Sequence, residues 1–222
     1  MANFSKLLIV TYGRSGSTLL QALLNSIPGY FIRGENSNLC WGLFRSYNSL
    51  LRALEHTKGK DGDVTVPTHP WYDVNKMDLE KYLEDARALS AAQLIGSEDN
   101  HSVVGFKEIR YAADYALPQF EEYMKFLELL FPDTAFIFNT RNHDAVAKSG
   151  WWANMKPEKV LNKLQEADRK FAAFHEENKG KSIVIDYDRL VGGEDAVRLY
   201  RFLGENFDQT TFDSVLNRKH SY

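Results

Sequence analysis

The chain has 222 residues, of which 44% are hydrophobic and 26% are charged, and its 27 basic and 30 acidic residues give a formal net charge of −3. This composition is typical of a globular domain. It excludes collagen-like and low-complexity chains, and it excludes a protein that holds nucleic acid or an anionic membrane through its overall charge. Cys40 is the sole cysteine, which excludes an internal disulfide framework and a multi-cysteine metal site. No stretch approaches the roughly 20 apolar residues of a membrane span, so we expect a cytoplasmic protein. The sequence has no internal repeat and no evident linker, which predicts one domain over residues 1–222.

The first half of the chain begins with a predicted strand, a tight loop and an amphipathic helix. The apolar run Lys6–Tyr12 predicts the strand, Gly13–Ser17 predicts the loop, and leucines at positions 19, 20, 23 and 24 predict a helix that ends before Pro28. A short extended piece at Tyr30–Arg33 and helices at Ser37–His56 and Met77–Leu94 follow. The polar segment Thr57–Asn75 is expected to be a long surface loop, which is typical of a lid, a binding loop or a disordered segment.

The second half alternates strands with helices. Strands are predicted at Ser102–Lys107, Thr134–Thr140 and Lys181–Asp186, and helices at Pro118–Leu130, Asp144–Trp152, Glu158–Asn178, Glu194–Leu203 and Thr210–Asn217. This alternation predicts an α/β fold of three layers, α/β/α, with a central parallel sheet. Ligands of such sheets bind beyond the carboxyl ends of the strands, so the loops that follow the strands are expected to carry the site.

The loop after the first strand is suited to binding an anion. Its residues are Gly13, Arg14, Ser15, Gly16, Ser17 and Thr18. The glycines permit unusual backbone angles, and the helix that follows presents unpaired N–H groups and its positive dipole end to the same point. A plain turn with a capping serine or threonine is the alternative interpretation. The loop lacks the glycine spacing and the lysine of a nucleoside-triphosphatase loop, and it also lacks the GxGxxG of a dinucleotide site.

This loop resembles the 5′-phosphosulfate loop of sulfotransferases that use 3′-phosphoadenylyl sulfate (PAPS), in which a strand is followed by [PG]-[KR]-[ST]-G-[ST]-[ST]. Arg14 in place of lysine is similar to the bacterial and glycan-modifying branches. A second match lies in TAFIFNTRNHDAVAKSGWW, where Arg141 follows a predicted strand and Ser149 comes eight residues later. In sulfotransferases such a pair holds the 3′-phosphate of the nucleotide, and a guanidinium with a hydroxyl nearby suits a phosphate chemically.

Two further segments extend the resemblance from about residue 7 to residue 207. GFKE, residues 105–108, is similar to the central strand whose lysine helps to hold the transferring sulfuryl group. The segment from residue 185 is similar to the one that carries a tyrosine beside the adenine, here Tyr187, for which plain core packing is the alternative. The resemblance also implies that the basic end of the chain, Arg218 and Lys219, contacts the 3′-phosphate. A solvated terminal charge run is the alternative.

Sulfuryl transfer to a hydroxyl needs cations near the leaving bridge oxygen and a base near the acceptor. By resemblance, Arg14 and Lys107 are the cations, and the backbone N–H groups of residues 15–18 hold the 5′-phosphosulfate. The histidine that follows this lysine by two residues in the small-molecule branch is missing, so a carboxylate must act as the base. Glu35, at the position of the glutamate base in bacterial and glycan-type relatives, is preferred, and Glu108 comes second. A helix-capping or first-turn carboxylate is the other interpretation of Glu35.

Arg33 and Arg110 either orient the acceptor or pair with Glu35 and Glu108 at the surface. The resemblance as a whole implies a sulfotransferase of P-loop-NTPase-like fold. It would move a sulfuryl group from PAPS to a hydroxyl of a small molecule or saccharide and release adenosine 3′,5′-bisphosphate (PAP) without a metal. The alternatives are a P-loop nucleotide kinase or NTPase, and a nucleotide-binding relative that has lost catalysis.

Overall fold

The computed structural model describes residues 3–58, 64, 66–95 and 101–218. Within these ranges the strands are β1 (Lys6–Thr11), β2 (Tyr30–Arg33), β3 (Val103–Glu108), β4 (Thr134–Thr140) and β5 (Ser182–Asp186). They form one parallel sheet in the order β2-β3-β1-β4-β5. The strand order reverses at β1, because the chain passes from β1 to β2 and β3 on one side and reaches β4 on the other. Such a reversal places a crevice beyond the carboxyl ends of the central strands.

Helices connect and cover these strands. They are α1 (Ser17–Asn25), α2 (Leu39–Thr57), α3 (Leu79–Ser90), α4 (Phe120–Leu130), α5 (His143–Ala147), α6 (Pro157–Glu177), α7 (Tyr187–Val191), α8 (Glu194–Leu203) and α9 (Gln209–Leu216). Short 3₁₀ turns occupy Val74–Lys76, Leu117–Gln119 and Gly150–Asn154, and a π turn extends α3 over Ala91–Ile95. No helix in the described ranges has both the length and the apolar character that crossing a bilayer requires.

The two faces of the sheet are covered by different helices, and alternate residues of β1 divide between them. Leu7 and Ile9 pack with α1, α8 and α9, whereas Leu8 and Val10 pack with α2, α4 and α6. All four side chains are buried, and full burial of such a side chain contributes about 1.5–3 kcal/mol. The predicted three-layer α/β/α fold with a central parallel sheet is confirmed.

Three local predictions differ from the structure. The extended piece Tyr30–Arg33 is a full edge strand, because its backbone pairs with β3 from Val103 to Phe106. The helix expected over residues 144–152 is wrong beyond residue 147: Ser149 is extended and Gly150 has φ 58, so α5 ends there and a separate 3₁₀ turn follows. The segment 57–75 is shorter as a loop than predicted, since α2 includes Thr57; residues 59–63 and 65 of that segment lie outside the described residues.

Candidate active site

Each of the five strands has a candidate site residue at or just beyond its carboxyl end. The loop that carries Arg14 follows β1, and Glu35 follows β2. Lys107 is the penultimate residue of β3, whereas Arg141 and Tyr187 directly follow β4 and β5. Because the strands are parallel, their carboxyl ends meet at one edge of the sheet. A cleft of about 810 Å³ lies there, and its walls include the β1 loop, Glu35, Arg141, Tyr187 and Arg218.

The loop after β1 is held from behind by β4 and the 150–154 turn. The Thr11 hydroxyl donates to the carbonyl oxygen of Asn139 at 2.6 Å, and the Asn139 side-chain amide donates to the Ser15 carbonyl oxygen at 3.2 Å. The indole N–H of Trp152 donates to the Gly13 carbonyl oxygen at 2.9 Å. The carbonyl oxygens of Gly13 and Ser15 are therefore occupied on the protein side. The Leu19 N–H donates to the Gly16 carbonyl oxygen at 3.0 Å, whereas the N–H groups of Ser17 and Thr18, at the start of α1, have no partner among the described residues and lie where these two residues line the cleft.

Both glycines of the loop are required by close approaches. A Cβ on Gly13 would lie 2.1 Å from the Trp151 ring, and a Cβ on Gly16 would lie 2.0 Å from the Tyr187 ring. Gly16 also has φ 82, which L side chains rarely adopt. The two aromatic rings thus lie directly against the loop and form walls of the cleft.

Ser15 contributes differently from its neighbours. It is fully buried, and its hydroxyl oxygen lies 2.8 Å from the Thr11 hydroxyl. Its side chain therefore stabilises the base of the loop, whereas Ser17 and Thr18 line the cleft.

Arg14 and Arg141 both line the cleft, and Ser149 is bonded to Arg14. Nε of Arg14 donates to Oγ of Ser149 at 2.9 Å, and Nη1 of Arg141 donates to the Arg14 carbonyl oxygen at 3.1 Å. The Arg141 guanidinium lies over the Tyr187 ring, 4.3 Å from its centroid. The backbone N–H of Arg141 donates to the Tyr12 hydroxyl at 3.1 Å. Burial, and then the negative charge of Asp168, raises the pKa of that hydroxyl, so Tyr12 stays protonated.

Lys107 and Glu35 form the second charged group of the cleft. Nζ of Lys107 lies 2.7 Å from Oε1 of Glu35, and the Lys107 side chain is only 5% exposed, whereas that of Glu35 is 46% exposed. Oε2 of Glu35 bonds to no described residue. The pair therefore combines a buried cation with a carboxylate oxygen that is open to a ligand. Among the described residues, no hydrogen bond or ion pair joins this pair to Arg14, whose Nε donates to Ser149.

Glu108 has a different environment from Glu35, although it adjoins Lys107 in sequence. It is 1% exposed. Oε2 accepts the backbone N–H groups of Asn36 and Asn38 at 3.1 and 2.8 Å, and Oε1 accepts those of Ile109 and Arg110 at 2.8 and 3.0 Å. Its carboxylate thus ties the segment after β2 to the segment after β3.

The remaining basic residues of the predicted site lie in different environments. Arg33 does not pair with Glu35; its Nη1 donates to the Gln93 carbonyl oxygen at 3.0 Å and its guanidinium lies near Phe31. The Arg110 guanidinium makes no hydrogen bond or ion pair with a described residue. Arg110 therefore does not form the predicted surface pair with Glu108, and its backbone N–H donates to Oε1 of Glu108 instead. Arg218 lines the cleft, and Lys219 lies outside the described residues.

Asn139, Tyr12 and Trp151 were not assigned a place in the site by the sequence. Asn139 and Tyr12 belong to apolar strand runs, and a polar side chain within such a run was the signal that could have indicated them. Both are buried in the structure. The sequence offers Trp151 only as one of four tryptophans with a face suitable for stacking, and its position two residues after Ser149 was the signal that could have placed it at the site.

The sequence matches the model of the sulfotransferase family over residues 7–209. The chain belongs to the sulfotransferase family. The predicted resemblance is confirmed, and with it the prediction that the chain is a sulfotransferase enzyme. The search of curated proteins found no significant match to this sequence.

Two solved sulfotransferase structures resemble this sulfotransferase in fold. One is the sulfotransferase domain from the curacin biosynthetic pathway, with a TM-score of 0.51 and 17% identity over 96% of this chain and 78% of that one. The other is sulfotransferase STF9 from Mycobacterium avium, with a TM-score of 0.50 and 15% identity over 96% of this chain and 67% of that one. At these identities the likeness establishes the shared fold.

Proposed function

We propose that this sulfotransferase moves a sulfuryl group from PAPS to a hydroxyl of a small molecule or saccharide, with Glu35 as the base and PAP as the second product. The observation that carries the proposal is the convergence in one cleft of an anion-binding loop, a strand-end guanidinium and a carboxylate paired with a buried lysine. A donor with two phosphate positions and an acceptor hydroxyl needs all three groups.

The nucleotide side of the cleft fits a molecule with two anionic positions. The N-terminus of α1 suits the 5′-phosphosulfate, because its unpaired N–H groups and dipole favour an anion. Nε of Arg141 is buried and has no partner among the described residues, so this guanidinium has donor capacity for a phosphate. Arg14 links Ser149 to Arg141, because its Nε donates to the Ser149 hydroxyl and its carbonyl oxygen accepts from Nη1 of Arg141. We assign Arg141 and Ser149 to the 3′-phosphate and Gly13–Thr18 to the 5′-phosphosulfate. Tyr187 is assigned to packing under Arg141 beside the nucleotide, and Arg218 and Lys219 to the rim of the same site.

PAPS, when bound, supplies a sulfuryl group whose bond to the bridging phosphate oxygen breaks as a bond from sulfur to the acceptor oxygen forms. Glu35 takes the proton of the acceptor hydroxyl at Oε2, the oxygen that Lys107 leaves free. Lys107 and Arg14 offset the negative charge that develops on the leaving oxygen, since preorganised cations stabilise such charge strongly in a cleft. A positioned base of this kind typically contributes about 10²–10⁴-fold to the rate.

Glu35 is preferred to Glu108 as the base because of what each carboxylate already binds. Each carboxylate oxygen of Glu108 accepts two backbone N–H groups, so protonation of Glu108 would break hydrogen bonds that hold two segments of the site. Glu35 has one oxygen without a partner among the described residues and a half-exposed side chain. We assign Glu108 to positioning the segments around the site.

We also propose that residues 1–222 act as one domain, that the enzyme works in the cytoplasm and that it uses no metal. The domain assignment is supported by the single sheet to which all five strands belong, and the location by the low cysteine content.

Calorimetric titration with PAP, 5′-AMP and Mg-ATP tests the donor. We expect PAP to bind most tightly, and 5′-AMP to bind much more weakly because it lacks the 3′-phosphate. A preference for Mg-ATP would favour the nucleotide kinase alternative. Tight PAP binding without sulfuryl transfer from labelled PAPS to any member of a broad hydroxyl acceptor panel would favour a non-catalytic relative.

A further inference from the structure

A second cavity, of about 370 Å³, adjoins the nucleotide cleft and shares Gly13, Glu35, Ile109 and Trp151 with it. It continues away from the cleft between Ala112, Ala113 and Trp152, and Arg110 and Lys163 complete its lining. Because Glu35 belongs to both cavities, a molecule in the second one can present a hydroxyl to the proposed base. The volume suits a small molecule of about one ring with substituents.

The charges around this cavity do not balance. The carboxylate of Glu35 is paired with Lys107 at 2.7 Å, and Lys163 is paired with Asp114, whose side chain is 88% exposed. Arg110 is exposed and its guanidinium makes no hydrogen bond or ion pair with any described residue. One cation is thus left over at the wall of a cavity whose other walls are largely apolar, and the unbalanced charge favours an anionic ligand.

The backbone segments that carry Arg110 and Glu35 are joined by one buried carboxylate. Glu108 accepts the backbone N–H of Arg110 at 3.0 Å and, through its other oxygen, the backbone N–H of Asn36, next to Glu35, at 3.1 Å. Tyr12 pairs with Arg110 in an isolated antiparallel bridge, which adds a second backbone restraint. The short segments that carry Glu35 and Arg110 are therefore both hydrogen-bonded to the Glu108 carboxylate.

We infer that the acceptor is a small hydroxylated carboxylate, whose anionic group binds the Arg110 guanidinium while its hydroxyl faces Oε2 of Glu35. This inference rests on the proposed function of the same site. A carboxylate matches the planar fork of a guanidinium, and the acceptor's apolar body packs against Trp151, Trp152 and the two alanines. Binding of the carboxylate also orients the hydroxyl, because Glu35 and Arg110 belong to segments that are joined through the Glu108 carboxylate.

Matched pairs of small hydroxy acids and their neutral amides test this inference. The probes are 4-hydroxyphenylacetate, 4-hydroxybenzoate and 3-hydroxybutyrate, each with its amide, added to the PAP-saturated enzyme and followed by quenching of tryptophan fluorescence. We expect at least one acid to bind about 10-fold or more tightly than its amide, and Arg110→Gln to bring that ratio close to one. Arg110→Lys should restore part of the preference, since it keeps the charge but not the fork.

Arg52→Gln, which removes an exposed arginine of α2 outside the cavity, is the matched control and should keep the wild-type ratio. The inference is overturned if every amide binds as well as its acid, if no probe of either kind binds, or if Arg110→Gln keeps the preference. Failure of the proposed function is distinguishable, because it would be seen as lack of PAP binding in the calorimetric titration, before any acceptor is added.

Discussion

Replacing Arg141 with glutamine is expected to remove most of the preference for a nucleotide that carries a 3′-phosphate. The Arg141 guanidinium is already placed: Nη1 donates to the Arg14 carbonyl oxygen at 3.1 Å, and the group lies 4.3 Å from the Tyr187 ring centroid. Its buried Nε has no partner in the described chain. A hydrogen bond to a charged group contributes about 1.5–3 kcal/mol, so we expect the PAP dissociation constant to rise about 10- to 150-fold.

Calorimetric titration with PAP and with 5′-AMP measures this effect separately from damage to the loop. The variant should bind 5′-AMP nearly as the wild type does, while its ratio of PAP to 5′-AMP affinity falls towards one. Arg201→Gln, an exposed arginine in the last turn of α8, is the matched control for loss of one positive charge. If the affinities for both nucleotides fall by the same factor, Arg141 supports the loop and not the 3′-phosphate, and the reasoning is refuted. An unchanged PAP affinity refutes it as well.

Three further substitutions separate the roles assigned within the site. Glu35→Gln should lower kcat for transfer of labelled sulfate from PAPS by about 10²–10⁴-fold and leave the calorimetric affinity for PAP unchanged; near-normal turnover would move the base elsewhere. Gly16→Ala should abolish measurable PAP binding, because its φ of 82 costs an alanine about 1 kcal/mol and its Cβ would lie 2.0 Å from the Tyr187 ring; wild-type binding would contradict the loop assignment. Glu108→Gln should lower the free energy of unfolding, measured in urea, by about 1–3 kcal/mol, because the new amide nitrogen would face two backbone N–H donors. If Glu108→Gln is as stable as Glu35→Gln, the positioning role of Glu108 is contradicted.

Sequence patterns were enough to predict the parallel sheet and the loop after its first strand. The runs at Lys6–Tyr12 and Thr134–Thr140 are continuous and apolar, as expected for strands that are buried on both faces. Because parallel strands end at one edge, the order strand, loop, helix also predicted that the segments after the strands would meet. The proximity of the loop at Gly13–Thr18 to Arg141 follows from this rule, without any contact being known.

The individual roles of polar side chains could not be predicted in the same way, because they depend on tertiary partners. Ser15 and Ser17 are two residues apart in one motif, yet the Ser15 hydroxyl is turned inward to Thr11 and Ser17 lines the cleft. Ser149 was expected inside a helix, but α5 ends at Ala147 and Ser149 is extended, so the Ser149 hydroxyl lies beside Arg14. Local spacing indicates which residues lie near the site, and packing decides what each hydroxyl binds.

The two halves of the site are anchored through different elements, which has a consequence for how the enzyme can vary. The nucleotide side is fixed by bonds from Asn139 and Trp152 to carbonyls of the β1 loop, whereas the acceptor side is fixed by the Glu108 carboxylate. Arg110 projects from the segment that Glu108 holds, and its side chain supports no other described part of the fold. Substitution at Arg110 can therefore change the charge preference for the acceptor without altering the frame that holds Glu35, Lys107 or the nucleotide. With the acceptor assigned to the second cavity, as we infer, the donor site is kept while a few side chains on the wall of that cavity set the acceptor class.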